Sequence, residues 1–131
     1  MKSYSFTAYG HPNITSKQRN TLEFTKDPHV GIEGDCIIGV KADYSLEKIR
    51  EITQHDGIIT MRITAENATE EITMKANKAF DDEFELVIRK TGFSSRRTFG
   101  VHASKAAKDL SRDFAAQLAN ANTLVTITLI A

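Results

Sequence analysis

Four polar side chains in the first third of the sequence are suited to acid–base chemistry. His11 and Asn13 belong to a Gly-His-Pro-Asn segment, where a rigid proline can project an imidazole and an amide together. A carboxylate such as Glu23 or Asp35 could orient that imidazole. One hypothesis is therefore a small enzyme with these four residues in one cleft and His11 as the acid–base group. The segment also fits an ordinary turn in which Gly, Pro and Asn have backbone roles.

Cys36 is the only cysteine, so it cannot form an internal disulfide. It would act as a nucleophile if His11 approached it and lowered the pKa of the thiol. A cysteine that opens an apolar strand is more often a small buried hydrophobe. The four histidines lack the spacing that places two imidazoles on one face, so a metal site would need long-range convergence with Glu23, Asp35 or Cys36. We therefore predict no metal ligands, and no motif identifies a cofactor.

Charge is distributed unevenly in the second half of the sequence, although the whole chain has 17 basic and 17 acidic residues. Residues 66–85 contain seven acidic and two basic side chains, whereas residues 89–112 contain seven basic and one acidic. The basic segment leads into a predicted helix start at Ser104, where free amides favour an anion. The leading hypothesis is a non-catalytic module for an anionic ligand, either a phosphate-bearing small molecule or nucleic acid. The predicted ligand-binding residues are Arg96, Arg97, His102 and Lys105.

Other interpretations of these charges and of the final strand remain open. Acidic and basic strands can pair across a sheet and neutralise each other. Neighbouring strand residues point to opposite faces, so at most one of Arg96 and Arg97 is expected to line a given pocket. A structural homo-oligomer is the third hypothesis, because an exposed apolar strand at residues 123–130 would invite pairing with the edge of another copy.

These side chains must be positioned mainly by β-strands. Alternation of apolar and polar residues, with many Thr, Ile, Val and Phe, predicts eight strands. Helical spacing of apolar residues predicts a short helix at 45–54 and a longer one at 104–120, with Ser104 as its N-cap. The predicted strands cover residues 4–9, 21–25, 36–41, 58–65, 70–76, 83–89, 97–103 and 123–130.

This element content predicts a mainly β protein, either a β-sandwich with a jelly-roll-like arrangement or a partly closed barrel, with two helices covering the ends or one face. With 131 residues the chain is expected to form a single domain, residues 1–131. Residues 35–49 align with residues 96–110 at a constant offset that superposes Gly39 on Gly100. This similarity indicates either an internal repeat or the likeness shared by any two strand-to-helix junctions.

The composition excludes several classes of protein. Balanced charge excludes both a globally basic nucleic-acid coat and the strongly acidic surface of a salt-adapted protein. No apolar run approaches the roughly 20 residues of a membrane span, and the first residues lack a signal-peptide pattern. A cytoplasmic setting without a membrane partner is therefore expected.

Several strings in the sequence carry a family resemblance. They are Gly-His-Pro-Asn-Ile at 10–14, Thr-Leu-Glu-Phe-Thr-Lys at 21–26, Gly-Asp-Cys-Ile-Ile-Gly-Val-Lys-Ala-Asp at 34–43 and Arg-Thr-Phe-Gly at 97–100. Through them the chain resembles, over nearly its whole length, the archaeal domain of unknown function 371 family. The resemblance implies a small β-rich domain, sandwich or jelly-roll-like, in an archaeal cell, and no established activity. It also implies a His where this chain has Gln18, which weakens a family-wide metal site there, and an Arg at the position of the titratable His102.

Overall fold

The structure is a computed structural model that describes residues 2–131. It contains eight strands and two α-helices, which confirms the predicted mainly β fold. A 3₁₀ turn at Ala107–Asp109 precedes the second helix. The elements are β1 (Ser3–Tyr9), β2 (Thr21–Thr25), β3 (Ile37–Gly39), α1 (Leu46–Thr53), β4 (Ile58–Ala65), β5 (Ala68–Ala76), β6 (Glu85–Arg89), β7 (Thr98–Val101), α2 (Arg112–Leu118) and β8 (Leu124–Ile130).

All eight strands belong to one mixed sheet, in the order β1-β8-β4-β5-β7-β6-β2-β3. The pairs β2–β3 and β6–β7 are parallel, and the other neighbours are antiparallel. The two edges of the sheet meet at one bridge, in which Tyr9 and Val40 exchange N–H···O bonds of 2.7 and 2.8 Å. The sheet therefore curves until its edges touch at one point, and it is not closed into a barrel.

Alternate strand residues point inward and form one apolar core to which every strand and both helices contribute. In β4, for example, Ile59, Met61 and Ile63 are fully buried, and the intervening Arg62 is exposed. Each such buried side chain contributes roughly 1.5–3 kcal/mol relative to an exposed one. The core thus holds the strands together, and their polar residues are left on the outer faces, where a site can form.

The two halves of the chain have the same element order. Three strands, a helix and a strand make up the first half, and β5, β6, β7, α2 and β8 repeat that order. The parallel pair β2–β3 has a register irregularity after Glu23, and the pair β6–β7 has one after Val87. Glu23 and Val87 also lie directly opposite each other where β2 meets β6. The halves are therefore related by an approximate two-fold axis that passes between these two residues.

Hydrogen bonds repeat between the halves as well. Asp43 accepts the Thr7 amide through its side chain and donates its own amide to the Thr7 carbonyl. Ser104 forms the same two hydrogen bonds with Thr73 of β5. The residue two positions earlier has a positive φ in both cases, 55° in the first half and 53° in the second. These matched bonds favour the internal repeat over a chance likeness of two junctions.

The second helix is shorter than predicted. The sequence predicts it at residues 104–120 with Ser104 as the N-cap, but α2 begins at Arg112, and Ser111 caps it by accepting the Phe114 amide. The hydroxyl and the amide of Ser104 are both committed to β5. The chain is therefore held against the sheet at Ser104, and the α-helix begins only after the 3₁₀ turn.

The final strand also differs from the expectation. β8 lies between β1 and β4 and pairs with both strands. The prediction of an exposed edge at residues 123–130 is therefore wrong, because both sides of this strand are used inside the sheet. Among residues 2–131, no helix is both long enough and apolar enough to cross a membrane.

Candidate functional site

Glu23 and Arg97, which belong to two separate hypotheses in the sequence, meet on the outer face of β2 and β6. Arg97 Nη1 is 2.7 Å from Glu85 Oε2 and 3.8 Å from Glu23 Oε1. The Glu23 side chain is only 7% exposed, whereas the Arg97 side chain is 44% exposed. Cys36 Sγ donates to the same Glu23 oxygen at 3.7 Å. We call Glu23, Cys36, Glu85 and Arg97 the axial cluster, because they surround the two-fold axis.

Burial changes the protonation of two members of the axial cluster. It raises the pKa of Glu23 to about 8, and the Glu85 carboxyl adds to the effect through a hydrogen bond and charge repulsion. Arg97 lowers the pKa of Glu23 but does not outweigh these effects. Burial, together with the carboxyls of Glu23 and Asp35, raises the pKa of Cys36 to about 12. At neutral pH Cys36 is therefore a thiol, which is unfavourable for a nucleophile because the thiolate is the reactive form.

His11 and Asn13 form a separate group. His11 Nδ1 accepts the Asn13 amide at 3.0 Å, so the proton of the neutral ring lies on Nε2. The His11 ring packs edge-on against His29, with ring centroids 5.0 Å apart. Among residues 2–131, no hydrogen bond joins His11 or Asn13 to Glu23 or Asp35. Glu23 thus belongs to the axial cluster, His11 and Asn13 bond within the loops after β1 and β2, and the Asp35 carbonyl accepts the Lys17 and Gln18 amides.

The predicted anion site before the second helix holds a carboxylate of the chain itself. Glu70 accepts from Lys105 Nζ at 2.7 Å and from the Ser111 amide at 2.8 Å. Partial burial raises the pKa of Glu70, but the hydrogen bonds from Lys105 and Ser111 outweigh it and lower the pKa below its usual value. Arg96 Nε lies 3.9 Å from an Asp82 oxygen. Three predicted ligand-binding residues thus already have carboxylate neighbours, as expected from charge pairing: Arg96, Arg97 and Lys105.

An exposed aromatic ring occupies the loop between β6 and β7. Phe93 is 63% exposed, and the guanidinium of Arg89 lies 5.0 Å from its ring centroid. Arg89 is positioned by a hydrogen bond from its Nε to Thr98 Oγ1 at 3.1 Å. His102, the fourth predicted ligand-binding residue, adjoins this loop because its amide donates to the Thr91 carbonyl. The loop therefore presents an aromatic ring beside a positioned cation.

Cations from neighbouring segments extend this loop into a larger basic surface. Lys90 donates its amide to the Asn20 carbonyl, and Lys108 donates its amide to the Gln18 carbonyl, so the loop before β2 lies between them. Lys90 also forms an ion pair with Asp109 at 3.1 Å. Four cations of these segments, Lys17, Arg19, Arg89 and Lys108, have no carboxylate oxygen within 4.0 Å in the described part of the chain. The basic surface consists of these four residues with Lys90 and Phe93.

The sequence alone reveals only part of the basic surface. Lys17 and Arg19 precede the predicted basic segment, and only tertiary hydrogen bonds bring their loop beside it. Phe93 lies in that segment, and the signal for its exposure is its place among turn-forming residues at 90–95. In residues 2–131, no group of three or more His, Cys, Asp or Glu side chains is arranged to hold a metal ion.

Comparison with known proteins gives a family relationship. A family model described as "Domain of unknown function (DUF371)" matches residues 6–131. An uncharacterized protein of Methanocaldococcus jannaschii is 31% identical over 124 residues, which cover 90% of this chain and 92% of that protein. The similarity therefore extends over nearly the whole fold, and neither description names an activity.

Proposed function

Because the chain belongs to the DUF371 family, a family of unknown function, we propose a function from its side-chain geometry: the basic surface binds single-stranded nucleic acid, with Phe93 stacking on a base. The observation that carries this proposal is the pairing of exposed Phe93 with the guanidinium of Arg89 at 5.0 Å. A singly exposed apolar residue is common and means little by itself. Its place among cations without carboxylate neighbours is what favours a nucleotide ligand.

The chemistry of the surface suits both parts of a nucleotide. An aromatic ring stacks on any base, and each stacked base contributes about 1–3 kcal/mol of binding free energy. Lysine and arginine side chains neutralise the phosphates, and this contribution weakens as salt is added. Chain order and backbone contacts support this arrangement of ring and cations. Arg89 and Lys90 come just before Phe93 in the chain, and the Lys90–Asn20 backbone hydrogen bond brings the loop before β2 next to them.

Single strands fit this surface better than duplexes. Bases that stack on a protein ring must be unpaired, whereas the bases of a duplex already stack on each other. The proposal therefore concerns RNA or DNA whose bases are accessible. His102 is retained as a neighbour of the site, and Arg96, Arg97 and Lys105 are expected to contribute less because carboxylates already pair with them.

The first test measures binding of a fluorescently labelled single-stranded oligonucleotide by anisotropy at low salt. Phe93→Ala is expected to weaken binding by about 5- to 150-fold, which is the loss of one stacked base. Phe84→Ala is the matched control, because Phe84 is 64% exposed but lies in the acidic segment. Equal binding by the wild type and by both variants would contradict stacking on Phe93.

The second test separates phosphate contacts from base contacts. Charge reversal at Lys17 and Arg19 is expected to reduce both the affinity and its salt dependence, because each lost phosphate contact lowers the log–log salt slope by about 0.7. Lys105→Ala should change little, since Glu70 already pairs with Lys105. Inorganic polyphosphate serves as a ligand without bases. If it competes with the oligonucleotide and Phe93→Ala has no effect, the site is a phosphate site only and the nucleic-acid proposal is wrong.

A further inference from the structure

Because the two halves repeat, Glu23 can be compared with its equivalent residue in the second half. Val87 occupies the equivalent place in β6, opposite Glu23 across the two-fold axis, and it is fully buried. The second half of the molecule therefore builds this part of the sheet with an apolar side chain. A carboxyl at the same place in β2 is not needed for the fold, and burying it without a role is unfavourable. Its presence points to a function of the carboxyl itself.

The surroundings of Glu23 favour a carboxyl that keeps its proton. Its side chain is 7% exposed, and Glu85 lies on the same face of the neighbouring strand. A neighbouring carboxyl opposes the ionisation of a buried one, so Glu85 favours the protonated form of Glu23. Arg97 Nη1 lies 2.7 Å from Glu85 and 3.8 Å from Glu23, so one cation faces the two carboxyls.

Other titratable groups packed around Glu23 do not supply a positive charge. Cys36 approaches Glu23 from the segment before β3, and burial together with the carboxyls of Glu23 and Asp35 keeps it a thiol. Tyr44 approaches from the segment before α1, and burial with the neighbouring carboxyls holds its pKa well above the usual range. The titratable groups that interact with Glu23 or with its partner Cys36 are Cys36, Asp35, Tyr44, Glu85 and Arg97.

We propose that the axial cluster is a proton-binding switch: buried Glu23, beside the Glu85 carboxyl, holds its proton at neutral pH and releases it to solvent when the solution becomes mildly alkaline. Loss of the proton leaves two carboxylates beside Arg97. The guanidinium is then attracted to Glu23 as well as to Glu85, and it moves towards the buried Glu23 oxygen, which lies 3.8 Å away in the structure. The switch therefore converts a change of pH into a change of position of a half-exposed arginine on the outer face of β2 and β6.

The direct test follows the infrared absorption of protonated carboxylic acid while the pH of the folded protein is raised. One band is expected to disappear with a midpoint near pH 8. The side-chain ¹⁵N signals of Arg97 are expected to shift with the same midpoint, because the guanidinium changes partner. This experiment requires no ligand, so it is independent of the nucleic-acid proposal.

Three variants test whether the proton that titrates belongs to the axial cluster. Glu23→Val introduces the side chain found at the equivalent Val87, so it is expected to fold and to lose both the band and the Arg97 shift. Glu85→Gln removes the neighbouring charge and should move the midpoint to lower pH. Glu71→Gln, at an exposed ion pair with Arg62, should leave the titration unchanged. The proposal is overturned if Glu23 is already ionised at pH 6, or if the band persists in a folded Glu23→Val protein.

Discussion

Glu23 and Glu71 are both strand glutamates, but their surroundings give them different chemistry. Glu71 pairs with Arg62 at the surface, where water screens the interaction and an ion pair contributes little. Glu23 is buried, and its pKa rises from 4.5 to about 8. A carboxyl with a raised folded-state pKa stabilises the protein fully below pH 4.5, and this contribution is lost as the pH rises through 8. Burial, rather than residue type, thus sets the role of Glu23.

Glu23→Gln is expected to change the pH dependence of stability. The variant cannot ionise at this position, so its free energy of unfolding relative to the wild type should rise by about 1–3 kcal/mol between pH 5 and pH 8.5. Urea unfolding at a series of pH values measures this difference. Glu71→Gln is the control, and its free energy of unfolding should change with pH in the same way as that of the wild type. A parallel profile for Glu23→Gln would show that Glu23 ionises normally in the folded protein.

At the scale of elements, α2 depends on a contact from another strand. A helix as short as Arg112–Leu118 is marginal on its own, because nucleation is costly and few hydrogen bonds follow. The Ser111 hydroxyl accepts the Phe114 amide, and Glu70 of β5 accepts the Ser111 amide. The start of α2 is therefore specified by the sheet as well as by its own residues, which explains why helical spacing alone places it too early.

Glu70→Gln tests this anchoring. The Glu70 side chain is only 11% exposed and holds both Lys105 and Ser111, so its loss should lower the free energy of unfolding at pH 7 by about 1–3 kcal/mol. Because the folded-state pKa of Glu70 is lowered, the wild-type contribution is present above the unfolded pKa and is lost as the pH falls through the folded pKa. The gap between wild type and variant should therefore narrow on acidification. A gap that is constant with pH would mean that the charge of Glu70 is unimportant.

At the scale of the whole molecule, the two halves are interleaved. In the sheet, β8 of the second half lies between β1 and β4 of the first, and β6 pairs with β2. A first-half fragment on its own would retain only the β2–β3 pair of this sheet, since β1 and β4 would have lost their neighbours. So few strands do not form a stable sheet. The two halves thus repeat the same topology, and each half supplies strands that pair with strands of the other.

Separate fragments of residues 1–66 and 67–131 are expected to remain unfolded alone and to assemble when mixed. The division falls in the turn between β4 and β5, so it removes no strand residue. Far-UV circular dichroism of each fragment and of the equimolar mixture provides the measurement. An independently folded first half would contradict the interleaved architecture, because that fragment lacks the partners of β1 and β4.

Much of this fold follows from local sequence patterns. Strands β2 and β4 match the predicted residues 21–25 and 58–65, because alternation of apolar and polar side chains is a property of the strand itself. The first helix is also close to its prediction, since Ser45 caps it next to its apolar stripe. The alignment of residues 35–49 with 96–110 leaves a repeat and a chance likeness open, and the matched hydrogen bonds of Asp43 and Ser104 favour the repeat.

The site, in contrast, depends on which strands become neighbours. The sequence contains Glu23, Asp35 and Arg97 as candidates, but only the pairing of β2 with β6 and of β6 with β7 brings Glu23 and Arg97 together. The hydrogen bond between the Lys90 amide and the Asn20 carbonyl likewise places the loop before β2 beside the segment that leads to Phe93. Side-chain periodicity reports the environment along one strand, whereas burial, proton affinity and charge pairing depend on contacts between segments far apart in the chain. The sequence therefore determines the elements and their repetition, and the tertiary structure determines which of their polar residues act together.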